Sequence, residues 1–150
     1  MASWIIHLRV AENVFEMLPP NKVKYEDFIF GNIAPDAGKP NENETSYHPP
    51  KTVTHFQPPK GYPDIDNFRN TYLKNVSVSD DGFSFLLGYY SHLITDRCWM
   101  KYIFDPSTER FRDEYEAEER YVFIRKLKRD WYDLDKLFLL NTPSFKPYEI

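Results

Sequence analysis

Cysteine, glycine and long apolar runs are scarce in this 150-residue sequence, and each scarcity excludes a class of protein or site. The single cysteine, Cys98, can form neither an internal disulfide nor a cluster of thiolate ligands, so a bound metal ion must have nitrogen and oxygen ligands. The five glycines form no GxGxxG or GxxxxGKS/T pattern, which excludes the common glycine-rich phosphate-binding loops. No apolar run approaches the roughly 18 residues that cross a bilayer, so we expect no transmembrane segment.

An excess of positive charge is also absent. The formal net charge is −4 and the isoelectric point is near 5.6, which disfavours general binding to the phosphate backbone of nucleic acids. We interpret the one basic run, residues 125–129 (RKLKR), as a solvated helix face rather than a nucleic-acid patch. The start of the chain lacks the basic segment and the small-residue cleavage site of a secretory signal, so we expect a cytoplasmic location.

The remaining composition is typical of a globular protein. Hydrophobic residues make up 41% of the chain and aromatic residues 17%, and a chain of this length can bury one core without disulfides. We therefore predict a single domain over residues 1–150.

Helical periodicity dominates the sequence outside one central stretch. Ser3 is the predicted N-cap of a first helix. Residues 82–104 give the strongest amphipathic pattern and are predicted to form a central, buried helix. At Asp105-Pro106 we expect the chain to turn and to start further helices that reach about Leu140. The predicted fold class is an all-α helical bundle.

The central stretch, residues 35–63, is rich in proline. It holds seven of the 12 prolines, so we expect little regular structure there. Long loops inside compact domains are commonly functional, and this one carries Asp36, His48 and His55. Aromatic residues within it can anchor it to the bundle, so we predict a long ordered loop rather than a linker.

The central helix carries a pair of side chains that suits a metal ion. His92 and Asp96 are four residues apart and therefore lie on the same helix face, where one ion can contact both. Gly88 lies one turn earlier and leaves space for another backbone or an ion. Two plainer interpretations stay open: a buried histidine bonded to a carboxylate, or Asp96 paired with Arg97.

Further candidate ligands lie elsewhere in the chain. His7 is on the apolar face of the first helix, where an unsatisfied imidazole would cost about 1–3 kcal/mol. Asp36 and His55 lie in the stiff proline-rich loop, although a turn residue and a loop hydrogen-bonder are the plainer interpretations. Imidazoles and carboxylates together suit zinc, manganese or iron, and an Asp96 bridging toward His7 could hold a second ion.

Four short motifs occur in order over the first two thirds of the chain: Trp4-Ile-Ile-His7-Leu-Arg-Val-Ala11, Gly31-Asn-Ile-Ala-Pro-Asp36, Thr54-His55-Phe56 and Leu87-Gly-Tyr-Tyr-Ser-His92-Leu-Ile-Thr-Asp96. In this combination the sequence resembles the zinc-dependent phospholipase C family. That family includes the phospholipase D that cleaves glycosylphosphatidylinositol anchors, and it shares its fold with the single-strand-specific nucleases. The resemblance implies a helical bundle of the phospholipase C and nuclease type.

The resemblance also implies roles for individual residues. Asp36, His55, His92 and Asp96 correspond to the ligands of one zinc ion, and Asp96 bridges to a second ion that His7 also holds. Asp36 is in addition the candidate general base. The implied activity is hydrolysis of a phosphate ester by water activated at the metal centre.

The sequence departs from the family pattern in two places. Secreted members use the amine of an N-terminal tryptophan as a ligand, whereas Trp4 is internal here. The remaining ion of the family needs histidines after the central pair, but all four histidines lie at or before residue 92. Asp130, Asp133 and Asp135 are candidate replacement ligands, with three solvated helix acids as the alternative.

The leading hypothesis is a zinc-dependent hydrolase, phospholipase C-like, that acts on a lipid or small-molecule phosphate ester with one or two ions. A nuclease or nucleotidase on the same scaffold is the first alternative, with nucleic acid or nucleotide as the substrate. A non-catalytic helical protein with a structural metal is the second, because a structural site is closed by protein ligands. An interaction domain without metal is the third.

Overall fold

A computed structural model describes residues 2–42, 46–117 and 119–148 of the chain. Over these residues the protein is mostly helical, which confirms the all-α prediction. The helices are α1 (Trp4–Met17), α2 (Tyr25–Ile33), α3 (Lys51–Thr54), α4 (Ile65–Phe68), α5 (Phe83–Trp99), α6 (Asp105–Arg110), α7 (Arg112–Ala117) and α8 (Arg120–Asn141). Two short 3-10 helices, Ala34–Asp36 and Lys146–Tyr148, and two π-helical segments, Arg69–Leu73 and Met100–Phe104, complete the helical structure described.

Helix α1 begins where the sequence predicts it. The Ser3 hydroxyl accepts a hydrogen bond from the main-chain N–H of Ile6, which satisfies one of the free amides of the first turn. The buried residues of α1 are His7, Leu8 and Ala11, so a histidine lies within the apolar face of the helix.

Helices α2 and α5 pack backbone to backbone through two glycines. A Cβ added at Gly31 would lie 2.0 Å from the carbonyl oxygen of Phe85, and one added at Gly88 would lie 2.0 Å from the carbonyl oxygen of Phe28. The sequence analysis left open whether another backbone or an ion lies against Gly88, and the structure places the backbone of α2 there. Because the backbones are so close, the end of α2 lies against the middle of α5.

The proline-rich stretch contains more regular structure than the sequence predicts. Strands β1 (Lys39–Pro40) and β2 (Tyr47–His48) pair antiparallel, and the single turn of α3 follows. Residues 43–45 of this stretch lie outside the described residues. The pairing tolerates proline at position 40 because the ladder is only two residues long, so few hydrogen bonds are lost to the missing N–H.

The prediction of a turn at Asp105-Pro106 is wrong. Asp105 has helical dihedral angles, and the chain continues from α5 through the π-helical segment Met100–Phe104 into α6. The wider π turn precedes the proline, whose missing N–H is tolerated at the first turn of α6.

Helix α8 packs against α1 and α5 by side-chain contacts. The Arg9 guanidinium lies 4.1 Å from the centre of the Phe138 ring, and the rings of Trp99 and Trp131 meet edge to face at 5.1 Å. Phe138 also packs against a buried hydrophobic cluster that consists of Leu8, Ala11, Phe28, Ile29 and Phe145. Within the described part of the chain, no helix is long and apolar enough to span a membrane.

Candidate metal centre

The structure brings together the five side chains that the sequence singles out as ligands. His7 comes from α1, Asp36 from the 3-10 helix, His55 from the residue after α3, and His92 and Asp96 from successive turns of α5. Four of the five are fully or almost fully buried, and Asp36 is 11% exposed at the edge of the cluster.

The ring of His55 lies at the centre of this cluster. Its Nε2 is 3.1 Å from Asp36 Oδ1, 3.3 Å from His92 Nε2 and 3.5 Å from Asp96 Oδ2. The His92 Nε2 is 3.8 Å from the same Asp96 oxygen. Two imidazole nitrogens and two carboxylate oxygens therefore converge within a space of the size that a cation occupies.

His92 is held in one tautomer by the backbone of α2. Its Nδ1 donates to the carbonyl oxygen of Asn32 at 2.6 Å, and since a carbonyl only accepts, this nitrogen carries the proton. Burial, assisted by the neighbouring His7, lowers the pKa of His92 to about 3, so the ring is neutral near pH 7. Its Nε2 lone pair is consequently directed into the cluster, as a metal ligand requires.

His55 has a comparable hydrogen-bonded partner on its far side. The Thr54 hydroxyl lies 2.8 Å from His55 Nδ1, and the main-chain oxygen of Thr54 accepts from the Tyr89 hydroxyl at 2.5 Å. The hydroxyl contact orients the ring so that Nε2 faces Asp36 and Asp96.

Asp96 connects the cluster to the start of the chain. Its Oδ1 accepts a hydrogen bond from the main-chain N–H of Ala2 at 3.1 Å and lies 3.3 Å from His7 Nε2. The His7 ring stacks on His92 with their centres 3.7 Å apart. Trp4, by contrast, has a half-exposed side chain on the first turn of α1, and it is Ala2 that lies beside Asp96.

Both carboxylates of the cluster are ionised at neutral pH. Burial alone would raise the pKa of Asp96, but the adjacent imidazoles of His7 and His92 outweigh it and lower the pKa. For Asp36, burial also acts upward, while the hydrogen bond from His55 and the nearby His92 bring its pKa below the ordinary value. Two negative charges thus lie in a largely buried site.

The residues present fit a divalent cation such as zinc. Among the described residues, Asp96 Oδ2 and both ring nitrogens of His7 are buried without a hydrogen-bond partner, an arrangement that costs free energy unless another group binds them. The ligand atoms of His7, Asp36 and His92 lie within 4.8 Å of one another, and so do those of His55, His92 and Asp96. Imidazole nitrogen and carboxylate oxygen are ordinary zinc ligands.

The three acids of α8 differ from one another. Asp130 and Asp133 are exposed, as expected of solvated helix acids, whereas Asp135 is only 5% exposed and its Oδ1 has no hydrogen-bond partner among the described residues. Asp135 borders the same cavity as Asp36 and His55. His48 is exposed in β2 and does not belong to the cluster.

That cavity has a volume of about 690 Å³ and opens beside the cluster. Asp36 and His55 form part of its wall. Apolar and aromatic side chains form much of the rest, namely Trp4, Ile5, Tyr47, Leu139 and Leu140. A volume of this size, with a few polar groups on an apolar wall, is typical of sites for small organic ligands.

The sequence interpretation did not identify Asn32 or Ala2. Both act through main-chain atoms, whose partners depend on how distant segments pack. The sequence does contain a signal for Asn32, which is a polar residue among apolar neighbours, and the structure buries it completely. Its side-chain amide donates to the carbonyl oxygen of Gly88 at 3.3 Å.

A comparison with models of protein families gives a match. A family model described as zinc dependent phospholipase C matches residues 6–99, which is more than half of the chain and includes all five residues of the cluster. No curated protein and no solved structure matches the chain. From the length of the family match, the chain belongs to the zinc-dependent phospholipase C family.

Proposed function

We propose that the protein hydrolyses a phosphate ester with one or two divalent ions, zinc in the first instance, held in the buried cluster. The observation that carries this proposal is the convergence of three imidazoles and two carboxylates beside a ligand-sized cavity, whose wall includes Asp36 and His55. Several buried atoms of this cluster have no hydrogen-bond partner among the described residues. Membership of the zinc-dependent phospholipase C family supports the same reaction class.

Each residue of the cluster has a proposed role as a ligand. Asp36, His55, His92 and Asp96 would hold one ion, and Asp96 with His7 would hold a second. When bound, such an ion would polarise the phosphate and lower the pKa of a water molecule toward neutrality. Manganese and iron accept the same nitrogen and oxygen donors. Asp135 remains a candidate for a further oxygen ligand because it is buried beside the cavity and unpartnered among the described residues.

The chain's own contribution is to fix these groups before substrate binds. Asn32 and Thr54 orient the two histidines, so little side-chain freedom is lost when a ligand binds. Asp36 is ionised and is the carboxylate of the cluster that borders the cavity, so it can accept a proton there. In hydrolysis the water oxygen forms a bond to phosphorus, the ester P–O bond breaks, and the leaving oxygen receives a proton.

A lipid phosphate ester is the proposed substrate class. The cavity joins the polar cluster to the apolar side chains of Trp4, Leu139 and Leu140, so it can contact both a phosphate and an adjoining apolar group. Aromatic residues such as Tyr47 on the same wall also allow a nucleobase to stack, which keeps a nucleotidase or nuclease as the alternative.

The test is a substrate panel on protein loaded with zinc or manganese. We expect release of a phosphorylated product from a phospholipid, and we expect Asp36→Asn to reduce kcat by at least about 100-fold. Asp133→Asn, which changes an exposed acid, is the control and should retain activity. Hydrolysis of only nucleotides or single-stranded nucleic acid would favour the alternative. Tight zinc binding with no hydrolysis in the panel would overturn the catalytic proposal.

A further inference from the structure

Three lysines line the cavity beside the metal cluster. Lys51 comes from the first turn of α3, and Lys128 and Lys136 come from α8. They approach the same space from elements that are far apart in sequence. The arrangement is therefore a product of the fold, and it is not one basic segment of the chain.

The pattern of α8 explains why its lysines face the cavity. Residues 128, 132, 135, 136, 139 and 140 border the cavity, and steps of three and four residues connect them along one helix face. Lys128 belongs to the basic run at 125–129, but Arg125, Lys126 and Arg129 of the same run do not border the cavity. The run thus divides between solvent and the cavity wall.

Lys51 links the lysines to the metal cluster. Burial lowers its pKa, while the charges of Asp36 and Asp96 oppose that change. The positive charge of Lys128 acts in the same direction as burial. Lys51 therefore lies within electrostatic range of both the cluster and Lys128, with which it shares the cavity wall.

Positive charge exceeds negative charge on this wall. The described cavity wall holds three lysines and two acidic residues. The acidic residues are Asp36, which belongs to the metal cluster, and Asp135. Neither Lys128 nor Lys136 has a carboxylate oxygen within 4.0 Å among the residues that the structure describes. An anionic group in the cavity would supply a counter-charge to these two lysines.

We propose that Lys51, Lys128 and Lys136 form an anion subsite that binds a second negatively charged group of the substrate, separate from the phosphate ester at the metal cluster. The substrate class is a phosphate ester with an additional phosphate or carboxylate, either a phospholipid with an anionic headgroup or a soluble bisphosphorylated alcohol. A zwitterionic choline headgroup would place a quaternary ammonium beside the lysines and is disfavoured. This inference rests on the proposed function.

The kinetic test compares two double variants of α8 with the same loss of charge. Lys128→Gln with Lys136→Gln removes two subsite lysines, and Arg125→Gln with Arg129→Gln removes two exposed charges outside the cavity. Zinc-loaded enzyme is assayed with phosphatidylcholine, with a phospholipid whose headgroup carries a second phosphate, and with a soluble bisphosphate. We expect the lysine variant to raise KM roughly tenfold for the doubly anionic substrates, since each partly exposed charge pair contributes modestly, with kcat nearly unchanged.

The remaining outcomes of this comparison are also decisive. The arginine variant should leave each KM within about twofold of the parent value. A rise confined to the phospholipid identifies a lipid substrate, and a rise confined to the soluble bisphosphate identifies a soluble one. Equal KM changes in the two double variants, or a preference for phosphatidylcholine, would overturn the subsite.

A binding measurement separates failure of the subsite from failure of the proposed hydrolysis. Calorimetric titration of zinc-free protein with inorganic pyrophosphate should give a dissociation constant that increases roughly tenfold in the lysine variant and with added salt, but not in the arginine variant. If no substrate is hydrolysed and this difference is present, the hydrolase proposal fails while the anion subsite stands. Identical pyrophosphate binding by the parent and the lysine variant would overturn the subsite itself.

Discussion

At the scale of single residues, the hydrogen bonds behind the histidines matter as much as the histidines themselves. Asn32 and Thr54 each occupy the Nδ1 side of a ring, so both rings direct Nε2 into the cluster. The Asn32 carbonyl fixes both the tautomer and the orientation of His92, and the Thr54 hydroxyl fixes the orientation of His55. The orientation of both rings toward the cluster therefore depends on the Asn32 carbonyl and the Thr54 hydroxyl.

Removing the Thr54 hydroxyl should weaken metal binding without unfolding the protein. We expect Thr54→Val to reduce zinc affinity by about 10- to 100-fold, because the His55 ring loses its partner at Nδ1. Competition with a chromogenic chelator measures the change. Thr52→Val, on the exposed side of the same helical turn, is the matched control and should retain parental affinity. Equal affinities of the two variants would show that the hydroxyl does not position His55.

The buried neutral His92 should make the metal-free protein sensitive to mild acid. Its pKa is about 3 when folded, against an ordinary value of 6.5, so the unfolded chain binds more protons between these limits. The free energy of unfolding should therefore fall as the pH falls from about 6.5 toward 3, by at most about 1.4 kcal/mol per pH unit from this residue. The lowered pKa values of Asp36 and Asp96 act in the same direction at the acid end.

Urea unfolding of chelator-treated protein at several pH values measures this slope. His92→Gln should reduce the slope between pH 6.5 and 4.5, whereas His48→Gln, in an exposed position, should retain it. A slope that is the same in the parent and in both variants would contradict the assignment of a neutral His92.

At the scale of elements, the close packing of α2 on α5 positions the cluster. Gly31 and Gly88 allow the two backbones to approach, and this approach brings the Asn32 carbonyl to His92. The α5 helix then presents His92 and Asp96 on one face, one turn apart.

A methyl group at position 88 should disturb both stability and the site. Since the added Cβ would lie 2.0 Å from the Phe28 carbonyl oxygen, we expect Gly88→Ala to lower the free energy of unfolding by about 1–3 kcal/mol and to weaken zinc binding. Cys98→Ala, in an exposed position of the same helix, is the control and should be nearly neutral. Urea unfolding and zinc competition test both effects, and parental stability of Gly88→Ala would contradict the close packing.

Local signals explain the elements that the sequence predicts well. The predicted N-cap Ser3 acts within three residues, and it accepts the expected main-chain hydrogen bond. The path at Asp105-Pro106 was predicted wrongly because that dipeptide also fits a continuing helix when a π turn precedes it. Local sequence does not distinguish the two paths.

At the scale of the whole molecule, the site depends on contacts between segments that are distant in sequence. The residue types and the i, i+4 spacing identify His92 and Asp96, and the motif order adds His7, Asp36 and His55. Their convergence, however, requires α1, α2, α3 and α5 to pack together, which no local pattern specifies. For the same reason the sequence could not distinguish the buried Asp135 from its exposed neighbours, or Lys128 from the rest of its basic run.

The central claim is that these five side chains hold divalent metal, and elemental analysis of protein purified without chelator tests it most directly. After incubation with zinc and removal of the excess, we expect at least one tightly bound ion per chain. His92→Ala and Asp96→Ala should each lose at least one ion, whereas the exposed His48→Ala should retain the parental content. Parental protein without bound zinc, manganese or iron, or a metal content that neither cluster substitution changes, would contradict the claim.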